Sequence, residues 1–147
     1  MRASTEAMRI STGATSELRI PADPQYIVVA KRVAAGMASV AGLGVEALDE
    51  LNIAIAEACE HTIRAALAAG LEDAKVRLSF AIQEDALRVE VRPVGGRSES
   101  RPAPAAQNSP EALDLAISML RCFADDVDFR SAGGGLMRVR LAKYRWR

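Results

Sequence analysis

Glu57, His61 and Arg64 follow one another at i, i+4 and i+7 within residues 49–67, DELNIAIAEACEHTIRAAL. On a helix that spacing puts a carboxylate, an imidazole and a guanidinium on one face. A carboxylate can take the proton of a hydroxyl held within hydrogen-bond reach. A protonated imidazole can donate to a phosphate. Ala54, Ala56 and Ala58 place little bulk around Glu57, which suits close approach of a ligand or another element. The plainer possibility is local: Glu57 pairs with His61 or Arg64 on its own helix, an exposed contact worth only about 0.3–0.5 kcal/mol.

The elements that must position these residues are legible in the periodicity. Leu48, Leu51, Ile55, Cys59, Ile63 and Leu67 recur at helical spacing, which predicts a buried stripe on a helix from about Glu46 to Ala69. Before it, Glu17 to Ile20 alternates as a short strand, and Asp23-Pro24 caps and starts a helix running to about Ala41. Tyr26, Val29, Val33, Gly36, Met37 and Val40 are expected to face inward on that helix. Val76 to Ile82 and Leu87 to Val91 alternate around the turn Gln83-Glu84-Asp85, an antiparallel hairpin. Residues 93–109, PVGGRSESRPAPAAQNS, lack periodicity and read as a loop. Ser109 caps a third helix with Leu113, Ala116, Ile117, Leu120 and Phe123 inward, followed by strands at Val127–Phe129 and Met137–Leu141. Helices covering the dry face of the sheet give a two-layer α+β sandwich.

The chain has 147 residues, enough for one domain with a core. Residues 1–14 read as a flexible tail and 15–147 as the domain. Half the residues are hydrophobic, and 19 basic residues balance 19 acidic ones. That excludes a generally disordered chain and gives no bulk electrostatic case for nucleic acid. No apolar run reaches the ~20 residues that span a bilayer. The first residues, MRASTEAMRISTGATSE, lack an apolar signal core, so a cytoplasmic location and no membrane association are expected. Cys59 and Cys122 read as buried free thiols, and one histidine with two distant cysteines makes no metal pattern.

At residues 49–58 the sequence resembles the nucleotide-site helix of the anti-sigma factor serine kinases, small bacterial members of the GHKL ATPase superfamily. Their run D-x-x-x-x-A-x-x-E-A-x-x-N is matched by Asp49, Ala54, Glu57 and Ala58, with His61 in place of asparagine. The order strand, helix, helix, strand, strand, helix, strand, strand is similar to that family over about residues 15–145, as is the closing run Phe123-Ala124-Asp125-Asp126-Val127 before a final strand. The resemblance is to a divergent, actinobacterial-type member. It implies the GHKL (Bergerat) fold: a mixed, mostly antiparallel sheet covered on one face by three helices. It also implies ATP and Mg²⁺ as cofactors, a role in transcription regulation under stress or in sporulation, and Glu57 as the group that activates a serine hydroxyl on a partner.

The other positions of that nucleotide site read differently. Where the family's asparagine offers an oxygen to Mg²⁺, His61 has none, and Mg²⁺ prefers oxygen ligands. In the segment matching D-x-G-x-G, Pro93 replaces the adenine-reading Asp and has no side-chain acceptor, while Gly95 survives. Where the family has G-x-G at the start of the last helix, this chain has Asp114-Leu115-Ala116. Asp114 brings negative charge toward the phosphates, and two unit charges ~4 Å apart repel by ~4 kcal/mol at an effective dielectric of 20. The expectation is a kinase fold with weak or absent ATP binding.

Docking remains. The resemblance implies that the chain sequesters a sigma factor of RNA polymerase, is released by a STAS-type anti-anti-sigma factor, and forms a homodimer through the N-terminal strand edge or the first helix. Lys31 and Arg32 stand at the stretch where the family's first helix contacts both partners. The alternatives are an active serine kinase acting on the antagonist, and a dimerisation scaffold. The basic run 138–147, RVRLAKYRWR, reads either as a docking site for an acidic partner or as the wet face of an edge strand.

Overall fold

In a computed structural model of the chain, residues 14–96, 110–132 and 136–145 are described. The expected tail, Trp146 and most of the expected loop lie outside them. The described elements are β1 (Thr15–Pro21), α1 (Ile27–Ala41), α2 (Val45–Ala68), β2 (Glu72–Ile82), β3 (Ala86–Gly96), α3 (Pro110–Phe123), β4 (Asp126–Ala132) and β5 (Leu136–Tyr144). This is the order expected from the sequence. A 3-10 turn at Pro24–Tyr26 leads into α1, and Asp23 Oδ1 accepts from the Gln25 N–H at 3.0 Å, as its capping role requires. Gly42 closes α1 at φ 79°, a left-handed conformation that suits glycine.

The strands pair in the order β1-β2-β3-β5-β4, and every neighbouring pair is antiparallel. The expected mixed sheet is therefore corrected. β3 and β4, joined through α3, run in the same direction, but β5 inserts between them and removes any parallel contact. β3 also runs through Pro93–Gly96, so the start of the expected loop is strand.

Alternation fixes the layers. Val76, Leu78 and Phe80 of β2, Leu87, Val89 and Val91 of β3, and Val139 and Leu141 of β5 are buried beneath the helices. In α2, Leu51, Ile55, Cys59 and Ile63 are buried as expected, but Leu67 is 59% exposed. An i, i+4 row drifts around the helix axis, so its last member leaves the contact. Ala65 and Ala66 are buried in that turn instead.

α1 departs further from expectation. Its buried face is Ala30, Ala34, Ala38 and Ala41. Tyr26, Val29, Gly36 and Val40 are exposed, and Val33 and Met37 are only partly buried. α1 packs chiefly against α2, where Ala54 and Ala58 are fully buried. Small side chains on the facing surfaces let two helices approach closely, so the bulkier stripe is rotated away from the core.

Lys143 is a buried cation. Its Nζ lies 3.2 Å from Glu50 Oε2, 3.2 Å from the Phe123 carbonyl oxygen and 3.8 Å from Asp125 Oδ1. It ties β5 to α2 and to the end of α3. β5 is thus an interior strand, which corrects the edge-strand reading of the basic run. Lys143→Ala is expected to lower stability by about 3 kcal/mol, because it strands the partner carboxylates. Urea unfolding checks this; a change under about 1 kcal/mol contradicts the staple.

Candidate functional site

α2 carries the candidate site on the flank between its buried stripe and solvent. Glu57 is half-buried and has no hydrogen bond or ion pair among the described residues. The expected pairing with His61 or Arg64 does not form. His61 is 2% exposed, and its Nε2 is buried without a hydrogen-bond partner among the described residues. It is not held by Glu57, as one expectation had it. Burial pushes the His61 imidazole below its usual range, and the neighbouring Arg64 cation pushes the same way. His61 is therefore neutral near pH 7, which removes its use as a charged phosphate donor. Arg64 is exposed.

The remaining candidate positions lie on β3, α3 and α1. Pro93 sits past the end of the β3–β5 pairing, which stops at Val91 and Val139. A residue without an N–H is tolerated on such a free edge. A Cβ on Gly95 would stand 3.0 Å from the Glu72 carbonyl oxygen, 3.1 Å from Leu71 Cβ and 3.3 Å from Ala74 Cα. The β2 register shifts between Glu72 and Lys75 there. The surviving glycine thus accommodates this chain's own bulge, and the space beside it is already filled. Asp114 is exposed one turn inside α3, whereas Ala116 is 1% exposed in the core. Lys31 and Arg32 are exposed on α1 without ion pairs among the described residues.

These residues do not fit Mg-ATP in the manner the resemblance implied. The metal-ligand position holds a neutral imidazole, the adenine-reading position holds proline, and the phosphate position is the interior of a helix without glycine. Among the described residues, no group of three His, Cys, Asp or Glu side chains could hold a metal ion. No helix among them is long and apolar enough to cross a membrane. Of the two thiols, Cys59 is buried, and burial pushes it up to about 12. Cys122 is exposed, against expectation, because it lies opposite the α3 stripe. The sequence reading missed Lys143; only its place on the dry side of an alternating strand could have singled it out.

With this geometry in hand, the relatives are informative. Residues 20–143 match the histidine kinase-like ATPase domain, and the chain belongs to that family. It is similar to the serine-protein kinase RsbW of Bacillus pumilus (27% identical over 138 residues, 87% of this chain and 84% of that protein). It is also similar to the serine-protein kinase RsbW of Listeria monocytogenes serovar 1/2a (36% over 74 residues, 50% of this chain). That second match spans about half the relative's length, 46%.

Two outcomes follow for the site. His61 has a folded-state pKa below its unfolded value of 6.5. Between those values the unfolded chain binds the extra proton, so stability present above pH 6.5 is lost as pH falls toward the folded value. Urea unfolding at pH 7 and pH 5 is expected to show a larger loss for the native chain than for His61→Gln; equal losses contradict the buried neutral imidazole. Gly95→Ala is expected to cost about 1–3 kcal/mol from overpacking against the β2 bulge; an unchanged thermal midpoint contradicts that fit.

Proposed function

We propose that the chain is a binding regulator: an anti-sigma factor that sequesters an alternative sigma factor, is released by a STAS-type anti-anti-sigma factor, and binds ATP weakly or not at all. The observation that carries this reading is the exchange of the nucleotide-site residues, His61, Pro93 and Asp114, on a domain matched over residues 20–143. Serine-protein kinases named RsbW among its relatives support the kind of partner. Sequestration needs a docking surface and not a phosphoryl transfer.

Lys31 and Arg32 on α1 are the proposed cationic contacts, since both are exposed and have no ion pair among the described residues. The exposed apolar stripe of α1, with Val40 at 74% exposure, supports a homodimer through that helix. A second reading, an active serine kinase acting on the antagonist, keeps one observation in its favour. The Glu57 carboxylate has no partner among the described residues and stays available to a hydroxyl.

The test is capture of sigma factors and STAS-domain proteins from the native cell, with and without Mg-ATP. Nucleotide-independent recovery of a sigma factor is expected. The double variant Lys31→Glu/Arg32→Glu is expected to weaken it at least about tenfold, as charge reversal at a docking site does. Recovery of no sigma factor contradicts the proposal. Phosphate transfer to the antagonist that disappears in Glu57→Ala would favour the kinase. Val40→Glu is expected to yield a monomer by light scattering; a dimer that persists excludes the α1 interface.

A further inference from the structure

The helices cover one face of the sheet, and the outward positions of the other face line up in rows. Arg19 of β1 lies directly opposite Arg77 of β2, which lies opposite Arg92 of β3. Arg130 of β4 lies opposite Arg138 of β5. β3 and β5 pair as far as Val91 and Val139, so Arg92 and Arg138 stand one residue beyond that pair. Five arginines, one on each strand, run across the sheet in a single row.

Like charges directly opposite one another weaken a sheet. The next row supplies only part of the counter-charge. Glu17 pairs with Arg77, Asp128 with Arg130 at 3.5 Å, and Glu90 is shared between Arg140 at 2.9 Å and Arg138 at 3.8 Å. Arg19 and Arg92 have no ion pair among the described residues. The Nε atoms of Arg77 and Arg138 are shielded from solvent and have no hydrogen-bond acceptor among the described residues. Beside the row lies a shallow cavity of about 730 Å³ whose lining mixes the small residues Ser79, Ala81 and Ala142 with charged ones, among them Arg88, Arg140 and the carboxylates Glu90, Asp126 and Asp128.

We propose that this face docks an acidic amphipathic helix of a protein partner, laid across the strands. Five strands at roughly 4.8 Å spacing give a row about 19 Å long. A helix of about 13 residues covers that length and repeats every ~5.4 Å, so one carboxylate per turn keeps step with one arginine per strand. By composition, residues 1–13 and 97–109 each carry more basic than acidic residues. Residues 1–13 hold Arg2 and Arg9 against Glu6, and residues 97–109 hold Arg97 and Arg101 against Glu99. The row has no aromatic side chain on which bases would stack. This surface is remote from the α1 contacts proposed above and stands independently of the sigma-factor reading.

The probe is a 14-residue helical peptide with one glutamate per turn and an alanine-leucine flank, alongside its glutamine counterpart. Fluorescence anisotropy is read on the full chain at low and moderate salt. The glutamate peptide is expected to bind at least about tenfold more tightly and to lose affinity with salt. Arg92→Glu is expected to weaken it about tenfold while leaving the thermal midpoint unchanged or higher, because it relieves repulsion within the row. Arg19→Glu, on the edge strand, carries the same test should Arg92→Glu fail to fold. Equal affinity for the two peptides, or variants that bind as well as the native chain, overturns the proposal. So does tighter binding of a single-stranded oligonucleotide, or a dimer that Arg92→Glu dissociates in sedimentation.

Discussion

The molecule depends on how closely α2 seats between α1 and the sheet. Ala54, Ala58, Ala65 and Ala66 on α2 and Ala30, Ala34 and Ala38 on α1 are all essentially inaccessible to solvent. None contributes much apolar area alone. Ala30, Ala34, Ala38, Ala54 and Ala58 belong to one core cluster with Phe80, Leu78 and Val89 below. A larger side chain in this seam would push the layers apart, at about 1–3 kcal/mol for each misfit. The same seating sets the chemistry of α2. It draws His61 into the interior and leaves Glu57, a little farther round the helix, half in solvent. A histidine that is desolvated and close to Arg64 behaves as a neutral ring, whatever role its position has elsewhere in the family.

Much of this was legible in the residues. The strand and helix order follows from switches between period-two and helical alternation, and the hairpin of β2 and β3 was read correctly at its turn but cut short at its far end, where Pro93 and the glycines hid the last residues of β3. The inward face of α1 was not. Valine and tyrosine outweigh alanine on any hydrophobicity scale, yet close helix packing selects the smaller residue, and only the partner surface shows that. Leu67 was misplaced for a related reason, because a four-residue row drifts off a straight contact. Lys143 and the arginine row share another limit. A lysine in an alternating strand reads as solvent-facing until its register is known, and arginines on five separate strands form a row only once those strands are paired.

Of the nucleotide site, the replaced residue types were visible at once, but their consequences were not. Gly95 survived in the sequence as the one matching residue of the adenine-reading D-x-G-x-G segment. In the fold it answers to the bulge in β2, where a carbonyl occupies the space a Cβ would need. Pro93 sits on a free stretch of strand edge, where it costs the ladder little. Asp114 faces solvent inside a helix that begins at Pro110. Each replacement is accommodated locally, so the domain retains its architecture with residue types at 61, 93 and 114 that do not suit Mg-ATP in the manner the resemblance implied. Two surfaces stay exposed: the apolar stripe of α1 with Lys31 and Arg32, and the arginine row on the opposite side of the sheet.

Calorimetric titration of the intact chain with Mg-ATP bears most directly on that division between lost cradle and kept surfaces. The residues at positions 61, 93 and 114 call for no saturable heat below roughly millimolar nucleotide, equivalent to a binding free energy weaker than about −4 kcal/mol. A saturable, magnesium-dependent isotherm in the micromolar range would contradict it.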